Sequence, residues 1–422
     1  MTSSVTEALS SGLSGYTGEG IYLYADGQQY IDCASGTFNL SLGYSAKPVV
    51  DALHAQLDRC SHLSSDFTRE KSRQIFDKMR EFLPAHIGAF WFRDITGSGA
   101  NEGAIRIAQK ATGKTDIFSL FLSHHGQTVG STGVSGNAFR HRSFTLPFAN
   151  SVKIPAPDCA NCFYSQQPGR CGMLCATRLE DFVEYASSGQ VAALLVEPVL
   201  GNGGNIVPPA GYFRTLRETC DRLGILIIAD EVQTGFGRTG SFFASTGFAR
   251  ELRPDVITFA KGAGGIGVPV AGVLMRSELD VLDPWEHSST SGANPLSLVA
   301  LEETVRYLRD HRVLENVETV SGPLRQGLTD LARRFPGMSN VRGVGLMLAF
   351  DLPTSLDVQS FITTAREHGL IVRGSRYGFG RTVKIRPPLI ITPDEVRELL
   401  VRLCDALRAY HREGAYDREG QP

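Results

Sequence analysis

The stretch Leu223 to Val232, LGILIIADEV, constrains the fold more than any other part of the chain. It is short, rich in aliphatic and β-branched residues and ended by charge, the pattern of a strand covered by helices on both faces. Val191 to Leu200, VAALLVEPVL, has the same character. Between them, GYFRTLRETCDRLG carries apolar residues at helical spacing and stops at Gly224, a helix end made by glycine. The spacing predicts a strand, helix, strand unit of an α/β domain, with its chemistry at the carboxyl ends of the strands. PDVITFAKGAGG repeats the theme: a short strand runs into Lys261 and a glycine-rich turn.

After about residue 310, long amphipathic stretches, ENVETVSGPLRQGLTDLARRF and DEVRELLVRLCDALRAYHRE, surround short strands such as VGLMLAFDL. That pattern suits a smaller α+β domain. The first ~45 residues, with strands IYLYAD and QYIDCA around a turn at Gly27, are expected to pack with it. The expected division is a large domain over 46–310 and a small one built from both termini, 1–45 and 311–422.

A chain of 422 residues with 42% hydrophobic content holds enough core for two such units. The formal net charge is −2 and the charges are interspersed, which argues against nucleic acid and anionic membranes and for small-molecule partners. The Ser/Gly/Thr-rich N-terminus lacks the charged-then-apolar pattern of a signal peptide, and no apolar run reaches spanning length, so a cytoplasmic location is expected. Most of the eight cysteines read as reduced thiols in a chain of this size. Cys159, Cys162, Cys171 and Cys175 cluster in PDCANCFYSQQPGRCGMLC, where paired cysteines could hold a tetrahedral zinc. The second pair is spaced wider than in a zinc ribbon and the loop has no His, so no metal is assigned.

ADEVQTGFGRTG, Ala229 to Gly240, places two acids at the end of a wholly apolar strand, before a glycine-rich loop. Carboxylates buried there need a cationic or hydrogen-bonding partner. For Asp230 a protonated pyridine nitrogen is one such partner; capping of the next turn is the plainer one. Lys261, after VITFA and before GAGGIG, carries an amine placed for partial desolvation, which deprotonates readily and can form an imine. Together the acid and the lysine are the pair that pyridoxal-5′-phosphate (PLP) chemistry needs. Thr96, Gly97, Ser98 and Gly99 form a turn that opens a helix, and its amides suit a phosphate. The spacing is neither that of a P-loop nor that of a dinucleotide fingerprint, and a bare capping turn is the alternative.

The order Gly/Ser turn, HG, EP…GG, DEVQTGFGRTG, PD…AKG, T…NPL, RG.GL and PPL resembles the class III (ω) aminotransferases of PLP fold type I over nearly the whole chain. DEVQTGFGRTG followed about thirty residues later by AKG is its most specific part. The resemblance implies an α/β fold, a mostly parallel sheet between helices plus a small α+β domain. It implies that Lys261 forms the Schiff base, Asp230 pairs with the pyridine nitrogen, Val232 packs on the ring face and Gln233 bonds the ring hydroxyl. Thr96, Gly97 and Ser98 match the phosphate cup. Thr290 of STSGANPL matches the threonine that reaches the neighbouring subunit's phosphate, which implies a homodimer with shared sites, open to pairing into a tetramer. Glu197, in the EP motif, stands near the Schiff base as an orienting group or a structural acid. Thr37 and Phe38 match a stretch that faces substrate, although Phe38 could equally be core.

The departures from the family bear on substrate. His124 of SHHGQT takes the place of the usual ring-stacking aromatic; an imidazole can stack and can also titrate. Gly99 replaces an acid, a change for which the sequence offers no account. Lys384 of VKIRPPL stands at the position of the carboxylate-binding Arg, with Arg386 two residues on, and Asn202 stands where the Glu partner of that Arg would be. A lysine cannot reproduce the planar two-bond grip of guanidinium on carboxylate. Either Lys384 or Arg386 still binds an acidic co-substrate, or recognition is redirected; a surface strand of alternating basic residues is the structural alternative. The expected reaction is transfer of an amino group between glutamate or alanine with its keto acid and an ω-amino acid, a polyamine or the aldehyde of a specialised metabolite such as an amino sugar. The rival is another reaction on the same scaffold, a phospho-lyase, decarboxylase, aminomutase or epimerase. A binding protein without catalysis is disfavoured by the intact Lys261 and Asp230.

Overall fold

A computed structural model describes residues 13–138, 150–375 and 380–419, without the side chains of residues 355–356 and 413–419. The first twelve residues of the Ser/Gly/Thr-rich N-terminus lie outside the described residues.

Strands β1 (Thr17–Glu19), β2 (Tyr22–Ala25) and β3 (Gln28–Asp32) form an antiparallel meander. Asp26 and Gly27 at its second turn both have positive φ, the two-residue geometry that Asp-Gly favours. The large sheet is built from β4 (Ala89–Asp94), β5 (Asp116–Leu120), β6 (Ser151–Ile154), β7 (Val191–Val196), β8 (Leu226–Asp230), β9 (Val256–Phe259) and β10 (Ala271–Met275), in the order β4-β10-β9-β8-β7-β5-β6. β6, β5, β7, β8 and β9 are mutually parallel, and β10 runs antiparallel to both its neighbours.

The aliphatic runs therefore occupy the middle of this sheet, with helices on both faces. Successive residues point to opposite sides of a strand, and Ile227 and Ile228 accordingly sit in two different core clusters. Both are fully buried, which contributes about 1.5–3 kcal/mol for each side chain. Each strand is shorter than its apolar run. β7 stops before Pro198, which has no N–H for the ladder. β8 starts only after Gly224, left-handed at φ 62°, has ended the helix Tyr212–Leu223.

A third sheet and one added strand complete the fold: β11 (Ser339–Val344), β12 (Met347–Asp351), β13 (Leu370–Ile371), β14 (Arg373–Gly374) and β15 (Thr382–Ile385). Its order is β11-β12-β15-β14, while β13 joins the meander by parallel pairing with β3. VGLMLAFDL is thus not one strand, as its apolar character predicted, but the end of β11, a tight turn and β12. Gly345 makes that turn at φ +57°, where a Cβ would lie 2.6 Å from the Arg238 carbonyl oxygen. The two long amphipathic stretches form the helices Val313–Arg334 and Pro393–Glu419, which pack on each other. Among the described residues no helix is long and apolar enough to cross a membrane.

Candidate active site

The carboxyl ends of β8 and β9 and the first turn of the helix Gly97–Thr112 open onto one cavity of 630 Å³. Thr37, Phe38, Gly97, Ser98, His124, Asn202, Asp230, Val232, Gln233, Lys261, Lys384 and Arg386 line it. Glu197 stands behind this wall, bonded to His124 and Gln233, and Thr96 does not line it but caps the helix whose Gly97 and Ser98 do. Thr290 is exposed and does not line it. A larger cavity of 740 Å³, between Phe163, Arg325 and Arg342, contains none of these residues.

Asp230 ends β8 and is 3% exposed. Its Oδ2 accepts from Asn101 Nδ2 and bonds His125 Nδ1, each at 2.8 Å, and its Oδ1 accepts from the Val232 amide at 3.1 Å. Burial alone would push this carboxyl up; the bond and charge of His125, the charge of Lys261 and the Asn101 bond outweigh it and hold the group below its ordinary value. Asp230 is therefore a fixed anion. Glu197 is different: burial, with the nearby Asp230, lifts it to about 7 against the lowering by His125 and by the amides of His124 and Gly201. Lys261 opens a 3-10 turn after β9 with φ +47°, a conformation that non-glycine residues rarely adopt. Burial lowers its amine below the ordinary lysine value, against the opposing pull of Asp230 and Glu197.

At the other end of the cavity the Thr96 side chain caps the helix, accepting from the Gly99 amide at 3.1 Å, and Ser98 Oγ accepts from the Gln127 amide at 3.0 Å. The Gly97 and Ser98 amides bond no acceptor among the described residues. Free first-turn amides are an anion-binding arrangement. A Cβ on Gly97 would come within 2.7 Å of Val232 Cγ1, so only glycine lets this turn approach the end of β8. A Cβ on Gly99 would meet Asp94 Oδ1 at 2.1 Å. Asp94, bonded to His287 Nε2 at 2.9 Å, fills the space where the family's acid would project, which accounts for that glycine.

The remaining wall comes from the chain's two ends. Ser35, Gly36, Thr37 and Phe38 all have positive φ, strain of about 1–3 kcal/mol at each non-glycine position. The turn is held by Asp32, which accepts from the Ala34 and Gly36 amides and from Tyr44 Oη, each at 2.8 Å. It presents Phe38 to Arg386, whose guanidinium carbon is 3.7 Å from the ring centroid. Lys384 is buried rather than on a basic surface strand, so that structural alternative is excluded. His124 lines the cavity with its Nδ1 3.5 Å from Asn137 Nδ2, and Ser375 Oγ donates to the Asn202 carbonyl at 2.7 Å.

Sequence reasoning missed Asn101, His125, Arg238 and Arg373. Asn101 was visible as a polar residue one turn into an apolar helix face, beside Ala100 and Ala104. Arg238 gave no signal, because its acceptors, the carbonyls of Leu346 and Pro387, lie far along the chain. The four clustered cysteines are free thiols around one small pocket, and among the described residues no group of His, Cys, Asp and Glu is arranged to hold a metal ion.

The chain matches the Aminotransferase class-III family over residues 14–407. It is 32% identical to the leucine/methionine racemase of Thermococcus litoralis over 90% of this chain and 87% of that protein. To the diaminobutyrate–2-oxoglutarate transaminase of Wolinella succinogenes it is 33% identical, over 94% and 91% respectively. The solved structure of an amine transaminase from an uncultivated Pseudomonas species, in the PLP-bound form, is similar at TM-score 0.88 and 28% identity, with 97% of each chain covered. On the family match, these similarities and the shared fold, the chain belongs to the class III aminotransferases, PLP-dependent transaminases of fold type I.

Proposed function

We propose that this transaminase moves an amino group between glutamate or alanine, with its keto acid, and a non-α amine or the matching aldehyde or ketone, working as a cytoplasmic homodimer. The observation that carries this reading is the convergence on one cavity of Lys261, its amine lowered by burial, and Asp230, held anionic by His125 and Asn101. The same walls suit the cofactor. Gln233 Oε1 is buried with no hydrogen-bond partner among the described residues, as an acceptor for a ring hydroxyl would be. Asp230 would hold the pyridine nitrogen, Gly97 and Ser98 amides the phosphate, Val232 and His124 the ring faces, and Lys261 the Schiff base. Bound there, the cofactor supplies an electron sink for the carbon that carries the amine.

When not bonded to the cofactor, Lys261 Nζ, which burial favours in its neutral form, would take the proton from that carbon and return it. Glu197 accepts from the His124 amide and so orients the loop there. Thr37, Phe38, Asn202, Lys384 and Arg386 contact the substrate. Because Lys384 and Asn202 replace the Arg and Glu of the usual carboxylate gate, recognition of an α-carboxylate is weakened and non-α amines gain. Thr290, exposed on one chain, serves the partner's phosphate. Phe67 and Trp285, 75% and 80% exposed, support a covered face there: each follows or adjoins a residue that Arg93 bonds, Asp66 and Pro284. A panel of amine donors mixed with holoenzyme and read by cofactor absorbance tests the reading. Conversion by α-amino acids alone would sink the non-α substrate class.

The similarity to a racemase supports a second reading, exchange of the α-hydrogen without transfer. In heavy water that reaction labels the amino acid while the cofactor stays in its aldehyde form; transfer leaves it in the amino form.

A further inference from the structure

The substrate half of the cavity holds more positive charge than its surroundings balance. Lys384 in β15 and Arg386 are two residues apart, so their side chains leave the strand on one face. Arg373 in β14 lies directly across from Lys384 in the antiparallel register and shares that face. All three line the cavity, and Lys384 and Arg386 are each 3% exposed. Among the described residues Arg386 Nε and Nη1 have no hydrogen-bond partner, and the side chains of Lys384 and Arg373 make no hydrogen bond or ion pair.

Among the described residues no carboxylate reaches them. Asp32 acts on Arg386 only through space, its oxygens taken by Ala34, Gly36 and Tyr44. Glu197 acts on Lys384 in the same way, its oxygens taken by His124, Gly201 and Gln233. The Phe38 ring fixes the Arg386 guanidinium but offers only its weakly negative face. Burying unpaired cations is strongly unfavourable, and a site built this way is built to meet an anion.

We infer that Lys384, Arg386 and Arg373 form a subsite for a phosphomonoester carried by the amine or carbonyl substrate, away from its reacting carbon. The inference rests on the proposed amine or carbonyl substrate for the identity of the reacting end. A carboxylate has one charge and two oxygens, and a single guanidinium saturates it in two parallel bonds. That would leave one of the two buried cations, and Arg373 at the exposed rim, without a partner. A phosphomonoester brings a charge of about −1.5 to −2 and three acceptor oxygens, enough for one guanidinium, one ammonium and a second guanidinium at the rim.

Calorimetric titration of holoenzyme with 3-aminopropyl phosphate, 4-aminobutyrate and 3-aminopropanol tests it. The phosphate compound binds at least about tenfold more tightly than the carboxylate and about a hundredfold more tightly than the alcohol. Arg386→Gln loses most of that advantage while retaining the absorbance of bound cofactor, and Arg386→Lys restores part of it. Carboxylate binding as tight as phosphate, failure of the phosphate compound to bind, or an unchanged order in Arg386→Gln would overturn the subsite. A phosphate amine that binds in the expected order yet never leaves the cofactor in its amino form defeats the transfer reading and leaves the subsite standing.

Discussion

His125 Nδ1 and Asn101 Nδ2 both meet Asp230 Oδ2 at 2.8 Å, so the buried anion at the end of β8 is held by two side chains from different elements. Removing one leaves a carboxylate buried with a bond missing, a loss of about 1–3 kcal/mol. His125→Ala is expected to weaken PLP binding by about tenfold or more, measured by equilibrium dialysis against apoenzyme. His125→Asn, which keeps a donor, recovers part of the loss. The sign with pH follows from a folded value below the unfolded one: Asp230's contribution is complete above the unfolded value and disappears as pH falls through the folded one. The stability gap between wild type and His125→Ala is therefore widest near neutrality and narrows in acid.

Glu197 behaves oppositely. Its carboxyl is raised to about 7, so between its ordinary value and 7 the folded chain holds a proton that the unfolded chain has lost. Stability falls as pH rises across that window. Glu197→Gln removes this slope; unfolding free energies of the two apoenzymes from chemical denaturation between pH 5 and 7 should converge at the acid end and separate by on the order of 2 kcal/mol at the neutral end.

Lys261→Ala is expected to abolish the Schiff-base absorbance of the bound cofactor and to lower turnover by at least about a thousandfold, by removal of both imine and proton carrier. Retained absorbance in this variant would show that another amine holds the cofactor.

Gly99→Ala places a Cβ against Asp94 Oδ1, at a contact that only backbone or side-chain shift can relieve. Destabilisation of about 1–3 kcal/mol is expected by chemical denaturation. In an Asp94→Ala background the same change is expected to be far milder, and the two substitutions will not add. Strict additivity would mean that Asp94 is not what excludes an acid from position 99.

Legibility of the molecule followed the range of its interactions. Strands β7 and β8 and the helix between them announced themselves because their cores and caps are set by neighbouring residues: aliphatic runs, Gly224, a proline. Lys261, Asp230 and the Thr96 turn were visible for the same reason, each marking the end of a local element. The hairpin of β11 and β12 was misread because apolar content continues through a turn that exists only where Gly345 passes under Arg238. What holds Asp230, and what surrounds Arg386, depends on residues brought in from distant parts of the chain, and no short window contains them.

The bond from Ser35 Oγ to the Arg386 carbonyl joins residues 351 positions apart, and the β3–β13 pair closes a loop nearly as long. During synthesis the strained Ser35–Phe38 turn emerges early and lacks its contacts to Arg386 until the last strands leave the ribosome. The cofactor half of the site, set within the large sheet, has all its own-chain parts earlier than the substrate half. Closing so long a loop is entropically unfavourable and slow, so within one chain the substrate half of the site is expected to form after the cofactor half.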